Sequence, residues 1–301
     1  MKFKLIITTT FIATSAFAAG SEIESRTNSS HFRFVTANCH GEDAAGPEST
    51  PQSPPLNVDD PATPGCNRWE INVVADGDIS KTQKEFELPL LDINYGVGDN
   101  LQLKYEVPYS YSKVDGENKS KVGESKLGIK YAFFNDESSE LELAFYPQVA
   151  LINPPSDPEV SQKLQTMTTL PLLMTKKIGK LARGDLDLTA NASYTFSKVP
   201  DTKDFITAGV GLGMPLSNRL GAMAEIGTEQ AVAKGEEGLR ESVVKLNVGL
   251  VTTISKRFLL FGAVGHSLYS SDSAGHEYAL IGFRVLAGGG TPNDPVLASS
   301  H

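Results

Sequence analysis

A nucleophile and a base could in principle come from His266 and Ser267, the pairing that activates a serine hydroxyl for attack on a carbonyl. Adjacent residues on a strand face opposite sides, so these two cannot share a hydrogen bond there. Ser271 and Ser273 follow nearby, but no third member or oxyanion donor accompanies them, and no catalytic residue is assigned. Asp59 and Asp60, with Glu42, Asp43 and Glu48 upstream, offer hard oxygen ligands, yet their spacing matches no calcium loop. His40 adjoins Cys39, but no further Cys/His cluster completes a tetrahedral zinc site, and no Gly-rich phosphate loop occurs. The expectation is therefore no metal, no cofactor and no enzyme activity.

Charges at alternating positions are the more informative pattern. Asp92, Asn94, Lys104, Glu106, Lys126, Lys130, Glu142, Asp185 and Asp187 stand in runs whose intervening residues are apolar or aromatic. Carboxylates and ammonium groups of both signs on one face suit a wet lumen, where they tune which solutes pass. They equally suit a buried ladder that fills a narrow one.

The elements needed to place them are strands. From Leu101 the residues Leu101, Leu103, Tyr105, Val107, Tyr109 and Tyr111 share one face; Gln102, Lys104, Glu106, Pro108, Ser110 and Ser112 share the other. Leu91, Ile93 and Tyr95 repeat the pattern across a turn at Gly98, Asp99 and Asn100. The same alternation occupies 126–133 and 185–196, and Gly209, Gly211 and Gly213 fall on one parity of another run. Those glycines leave room inside the wall, for the leader or a substrate, or simply let it curve. Twelve runs of this kind are read, at 68–78, 84–96, 100–113, 122–134, 139–152, 164–177, 184–198, 204–216, 218–231, 240–255, 257–270 and 275–287.

Short turns at 98–100, 135–137, 180–183, 216–218 and 254–256 alternate with longer polar loops at 114–121, 153–163, 199–203, 232–239 and 271–276. That is the up-and-down order of a membrane barrel. The expected fold is all-β, a transmembrane antiparallel barrel of about twelve strands spanning 67–287. A soluble β-protein with one face on a sandwich core is the competing architecture.

The ends differ from this middle. Lys2 and Lys4, an apolar run to Phe17 and the Ala16-Phe17-Ala18 site read as a secretory signal peptide over 1–18. Residues 19–66 have no apolar period and many prolines, so they form an irregular leader: a plug, a periplasmic tether or a spacer. Cys39 and Cys66 are the two cysteines; in an oxidising compartment they read as a disulfide closing the leader, the alternative being two free thiols. Residues 288–301 form a polar tail. The chain carries 27 basic and 36 acidic residues, and an acidic balance excludes nucleic acid as a partner.

The segment 58–71, VDDPATPGCNRWEI, and the stretch 90–108, LLDINYGVGDNLQLKYEVP, with Gly265-His266-Ser267 later, resemble the outer-membrane β-barrel transporters catalogued as phenol-degradation MetA-pathway proteins. The resemblance covers 58 to 286. It implies a bacterial outer-membrane barrel, embedded in lipid and inserted by the barrel-assembly machinery. The function expected with it is passage of a small molecule, aromatic or apolar, through the lumen without covalent chemistry. The cysteine pair, the Pro-rich leader and the tail depart from the family pattern. The alternative function is a filled, non-conducting barrel with a structural or surface-interaction role.

Overall fold

The computed structural model describes residues 32–35, 57–81, 83–114, 117–152, 165–200, 202–234, 240–272 and 275–288. The expected signal peptide and tail, together with Cys39 and hence its pairing with Cys66, lie outside them.

Fourteen strands appear among the described residues: β1 (Arg68–Ser80), β2 (Gln83–Gly96), β3 (Leu101–Val114), β4 (Glu117–Val122), β5 (Ser125–Asp136), β6 (Leu141–Phe145), β7 (Gln148–Ile152), β8 (Gln165–Leu181), β9 (Gly184–Ser197), β10 (Phe205–Pro215), β11 (Leu220–Ala231), β12 (Ser242–Ser255), β13 (Phe258–Ser270) and β14 (His276–Gly288). They make twelve staves. β3 pairs with β4 along its second half and with β5 along its first, so β4 and β5 are one stave bent at Gly123 and Glu124. Likewise β6 and β7 both pair with β5 and β8 and form one stave interrupted at Tyr146 and Pro147. Pro147 has no N–H to give the ladder, but its carbonyl accepts from Ile129 N at 3.0 Å and Tyr146 N donates to Pro171 O at 3.0 Å. Pairing therefore crosses the break.

Every neighbouring pair is antiparallel, and β14 returns to β1 over the full register from Arg68↔Gly288 to Ser80↔His276. Closure removes the sheet edge, which a bilayer would otherwise leave with unsatisfied backbone groups. The sandwich reading fails on this point. The all-β, twelve-stave antiparallel barrel expected from the sequence is the fold.

In the segment 114–121, read as a loop, Val114 and residues 117–121 are instead paired strand of β3 and β4, in register from Tyr109↔Val122 to Val114↔Glu117. Polar composition hid it: Glu117, Asn118, Lys119, Ser120 and Lys121 are all exposed, so no buried face left an apolar period. The strand read at 164–177 runs on to Leu181.

The wall is inverted relative to a soluble protein. Leu103, Tyr105, Val210, Leu212, Ile226, Val248, Leu250, Val264 and Ile281 point outward and are exposed. Their strand neighbours Asn72, Asn94, Gln102, Glu106, Lys130, Thr189, Glu225 and Asn247 point inward and are buried. Aromatic pairs sit outside near both rims. Trp69–Tyr95, Tyr131–Phe133 and Phe258–Phe283 lie toward the short-turn rim, and Tyr109–Tyr111 and Tyr194–Phe196 toward the hairpin rim. Apolar flanks between two aromatic girdles are what lipid requires of a barrel.

Candidate functional site

Inside the barrel one arc is apolar. Val74, Val251, Leu259 and Phe261 are buried together, with Leu90, Leu280 and Leu286 packed on them, and they fill that side of the lumen. Beside these residues, and partly on the same strands, a polar arc of side chains crosses β14, β1, β2, β3 and β5. Arg284 Nε donates to Asn72 Oδ1 at 2.9 Å, and its Nη2 lies 3.2 Å from Glu70 Oε1. Asn72 Nδ2 donates to Asp92 Oδ2, and Asn94 Nδ2 to Asp92 Oδ1. Lys104 Nζ then stands 3.4 Å from Asp92 and 2.7 Å from Glu106, whose other oxygen is 2.8 Å from Lys126 Nζ. Gln102 donates to Asn94 at 2.6 Å, and Lys130 Nζ lies 4.8 Å from the centre of the Tyr146 ring. Arg284, Lys104 and Lys126 each meet a carboxylate, which offsets the cost of withdrawing these charges from water.

Six of the nine residues expected to line the lumen (Asp92, Asn94, Lys104, Glu106, Lys126, Lys130) thus gather on this one arc. The other three also face inward but stand apart. Glu142 accepts from Asn135 Nδ2 at 3.1 Å, Asp185 is 3.1 Å from Lys177 Nζ, and Asp187 follows on the same face of β9. His266 and Ser267 do lie on opposite faces: His266 Nδ1 meets Glu277 outside at 2.8 Å, while Ser267 Oγ accepts from His276 N inside at 2.7 Å.

Residues 57–66 of the leader run through the lumen. At the short-turn rim the chain passes so close to β2 that a Cβ on Gly96 would overlap the Gly65 carbonyl, which only glycine permits. Thr63 approaches Asp99 O at 3.5 Å, and Pro61 is fully buried. Lys130 Nζ donates to the carbonyls of Asp60 (2.8 Å) and Ala62 (3.2 Å). The segment ends against the opposite wall. There Val58, 3% exposed, lies over the inward side of Gly209, where a Cβ would come within 2.8 Å of Val58 Cγ2. Glu225 Oε1 accepts from Asn57 N (3.0 Å), Asn57 Nδ2 (3.1 Å) and Asn247 Nδ2 (2.7 Å), and Oε2 accepts from Val58 N (3.0 Å). Residues 32–35 make a separate contact at the short-turn rim, where Arg33 N donates to Phe133 O, Tyr131 Oη donates to Arg33 O and Asn100 Nδ2 donates to Phe34 O.

Beyond this floor, toward the β3–β4 hairpin, a cavity of about 680 Å³ remains. Asp76, Asp78, Glu87, Ser110, Lys245 and Tyr278 line this vestibule, and Asn57 and Asn247 lie at its base. Lys245 Nζ sits 4.3 Å from the centre of the Tyr278 ring, and His276, 2.9 Å from Asp78, stacks on the same ring.

Sequence reasoning missed Glu70, Asn72, Tyr146, Glu225, Asn247 and Arg284. The parity rule that found Lys104 and Glu106 applies to all but Tyr146, an aromatic residue in the break between β6 and β7. Glu225 even carried a signal, as the charge between the inward-facing Gly221, Met223 and Gly227 of β11.

The closed barrel with an apolar outer band and a charged interior defines a class: the chain has the fold of outer-membrane channels and porins. Among solved structures it is similar to an outer-membrane channel from Pseudomonas putida, with a TM-score of 0.52 at 14% identity over 79% of this chain and 99% of that one. It is also similar to the NanC porin, with a TM-score of 0.50 at 8% identity over 71% and 98%. At such identity the likeness is one of fold. No family model and no curated protein matches the sequence.

Proposed function

We propose that the protein is a bacterial outer-membrane channel that passes a small molecule through its lumen without covalent chemistry, and that residues 57–66 are the plug that closes it. The observation that carries this reading is the polar lumen behind a lipid-compatible wall, with a vestibule of about 680 Å³ ending on the segment held by Glu225 and Lys130. That volume lies in the range of small-molecule sites, roughly 300–1,000 Å³. The signal peptide brings the chain to the periplasm. The Cys39–Cys66 disulfide fastens the leader at the short-turn rim, which faces the periplasm as short turns do in barrels of this class. Ile152, Ala263, Tyr278 and Leu280 in the vestibule wall leave space for an apolar or aromatic body on the solute, in keeping with the MetA-pathway resemblance.

Solute flux tests it. Proteoliposomes holding the full-length protein should admit small solutes slowly, and Lys130→Met, which removes the donor to Asp60 and Ala62, should admit them several-fold faster. The ladder and plug together also favour a filled, non-conducting barrel. Equal impermeability of both proteins to all small solutes would establish that second reading in place of the first.

A further inference from the structure

We infer that Glu225 and Asn247 form the polar end of a binding site for an organic ammonium or amidinium ion entering from the vestibule, and that Asn57 and Val58 occupy it as an internal surrogate. This rests on the channel reading and adds the chemistry of its solute. Glu225 is 3% exposed and Asn247 5%. Among the described residues Glu225 makes no ion pair; the donors satisfying it are amide N–H groups, three of four supplied by the leader. A carboxylate so deep in protein without a cation is costly once its donors leave. Whatever replaces the leader has to bring N–H donors of its own, and a cation serves best.

A second observation points to the same ligand. Asn247 Oδ1 is buried and has no hydrogen-bond partner, while its Nδ2 is committed to Glu225. This oxygen lies over Gly265, where a Cβ would overlap it, and both residues line the vestibule. An ammonium group brings three donors to the acceptors gathered here, the Glu225 oxygens freed of the leader and the unpartnered oxygen of the Asn247 amide bonded to Glu225. Neutral amide donors at Glu225 leave Asn247 Oδ1 unused, so the leader is a partial match that a true cation can outcompete. The vestibule lining sets Asp76, Asp78, Glu85, Glu87 and Glu124 against Lys119, Lys121 and Lys245, an acidic excess that favours a positive solute, and Ala263 and Leu280 offer a surface to its apolar part.

The experiment compares benzylamine, benzyl alcohol and benzoate, which share a ring and differ in charge. Binding to the full-length protein in detergent is followed by titration calorimetry, independently of any conductance. Benzylamine should bind and the other two should not. Glu225→Gln, checked for folding by its heat-dependent gel mobility, should weaken benzylamine by about tenfold or more. Gly209→Ala keeps Glu225 and crowds Val58, so it should bind benzylamine more tightly by weakening the competitor. Equal binding of the three compounds, or loss of benzylamine binding in Gly209→Ala, would overturn the site. Conductance without charge discrimination would leave the channel and remove the site; selective binding by a barrel that never conducts would do the reverse.

Discussion

At the scale of single residues, the interior charges act as a connected ladder. Lys104 stands between Asp92 and Glu106, and Glu106 between Lys104 and Lys126. Lys104→Met leaves buried Glu106 and partly buried Asp92 each short of a cation and should cost about 3–5 kcal/mol of folding stability. Glu106→Gln in the same chain removes one of the stranded charges. The double variant should therefore be more stable than the sum of the single losses, with a coupling of about 1–3 kcal/mol. Urea titration of refolded protein, read by heat-dependent gel mobility, measures the cycle. Strict additivity would mean the two side chains do not depend on one another. The sequence made these charges visible because each sits opposite an apolar parity. It could not show which were neighbours, since Arg284 and Asn72 are separated by 212 positions and Glu225 and Val58 by 167. The floor of the vestibule was illegible for that reason: Asn57 and Val58 belong to a leader with no period, and their partners are ordinary polar residues of distant strands.

At the scale of elements, alternation was enough to fix type and number. Twelve apolar-polar runs became twelve staves because a period of two in a strand dictates two faces, and closure gives those faces to lipid and lumen. It failed where one face carries no apolar signal, as in β4, and where a proline interrupts a stave, as at Pro147 between β6 and β7. The glycines of β10 were read as leaving room inside the wall, and Val58 fills that room at Gly209. Lipid contact makes its own prediction. Ile226, 47% exposed, lies midway along the outer face of β11, one residue from Glu225 on the inner face. Ile226→Arg should reduce folding stability in lipid by about 2–4 kcal/mol, whereas the same substitution near a rim costs about 1 or less. Folding titrations into vesicles measure it, and a neutral effect at Ile226 would argue that this face does not meet hydrocarbon.

At the scale of the whole molecule, the barrel is a rigid wall around two unlike contents: a ladder and an apolar cluster that belong to the strands, and a leader that does not. Displacing the strand side chains means breaking the wall's own packing. Displacing residues 57–66 means breaking hydrogen bonds at Glu225 and Lys130 and withdrawing Val58 and Pro61. In the channel proposed above, residues 57–66 are accordingly the part that moves when solute passes, and the vestibule is where the solute waits. Single-channel conductance in planar bilayers tests this most directly, comparing the wild-type chain with Gly209→Val, whose added side chain takes the space of Val58. Rare, brief openings in the wild type and frequent or lasting ones in Gly209→Val are the predicted result. Identical traces from two properly folded barrels, open or silent, would contradict the plug.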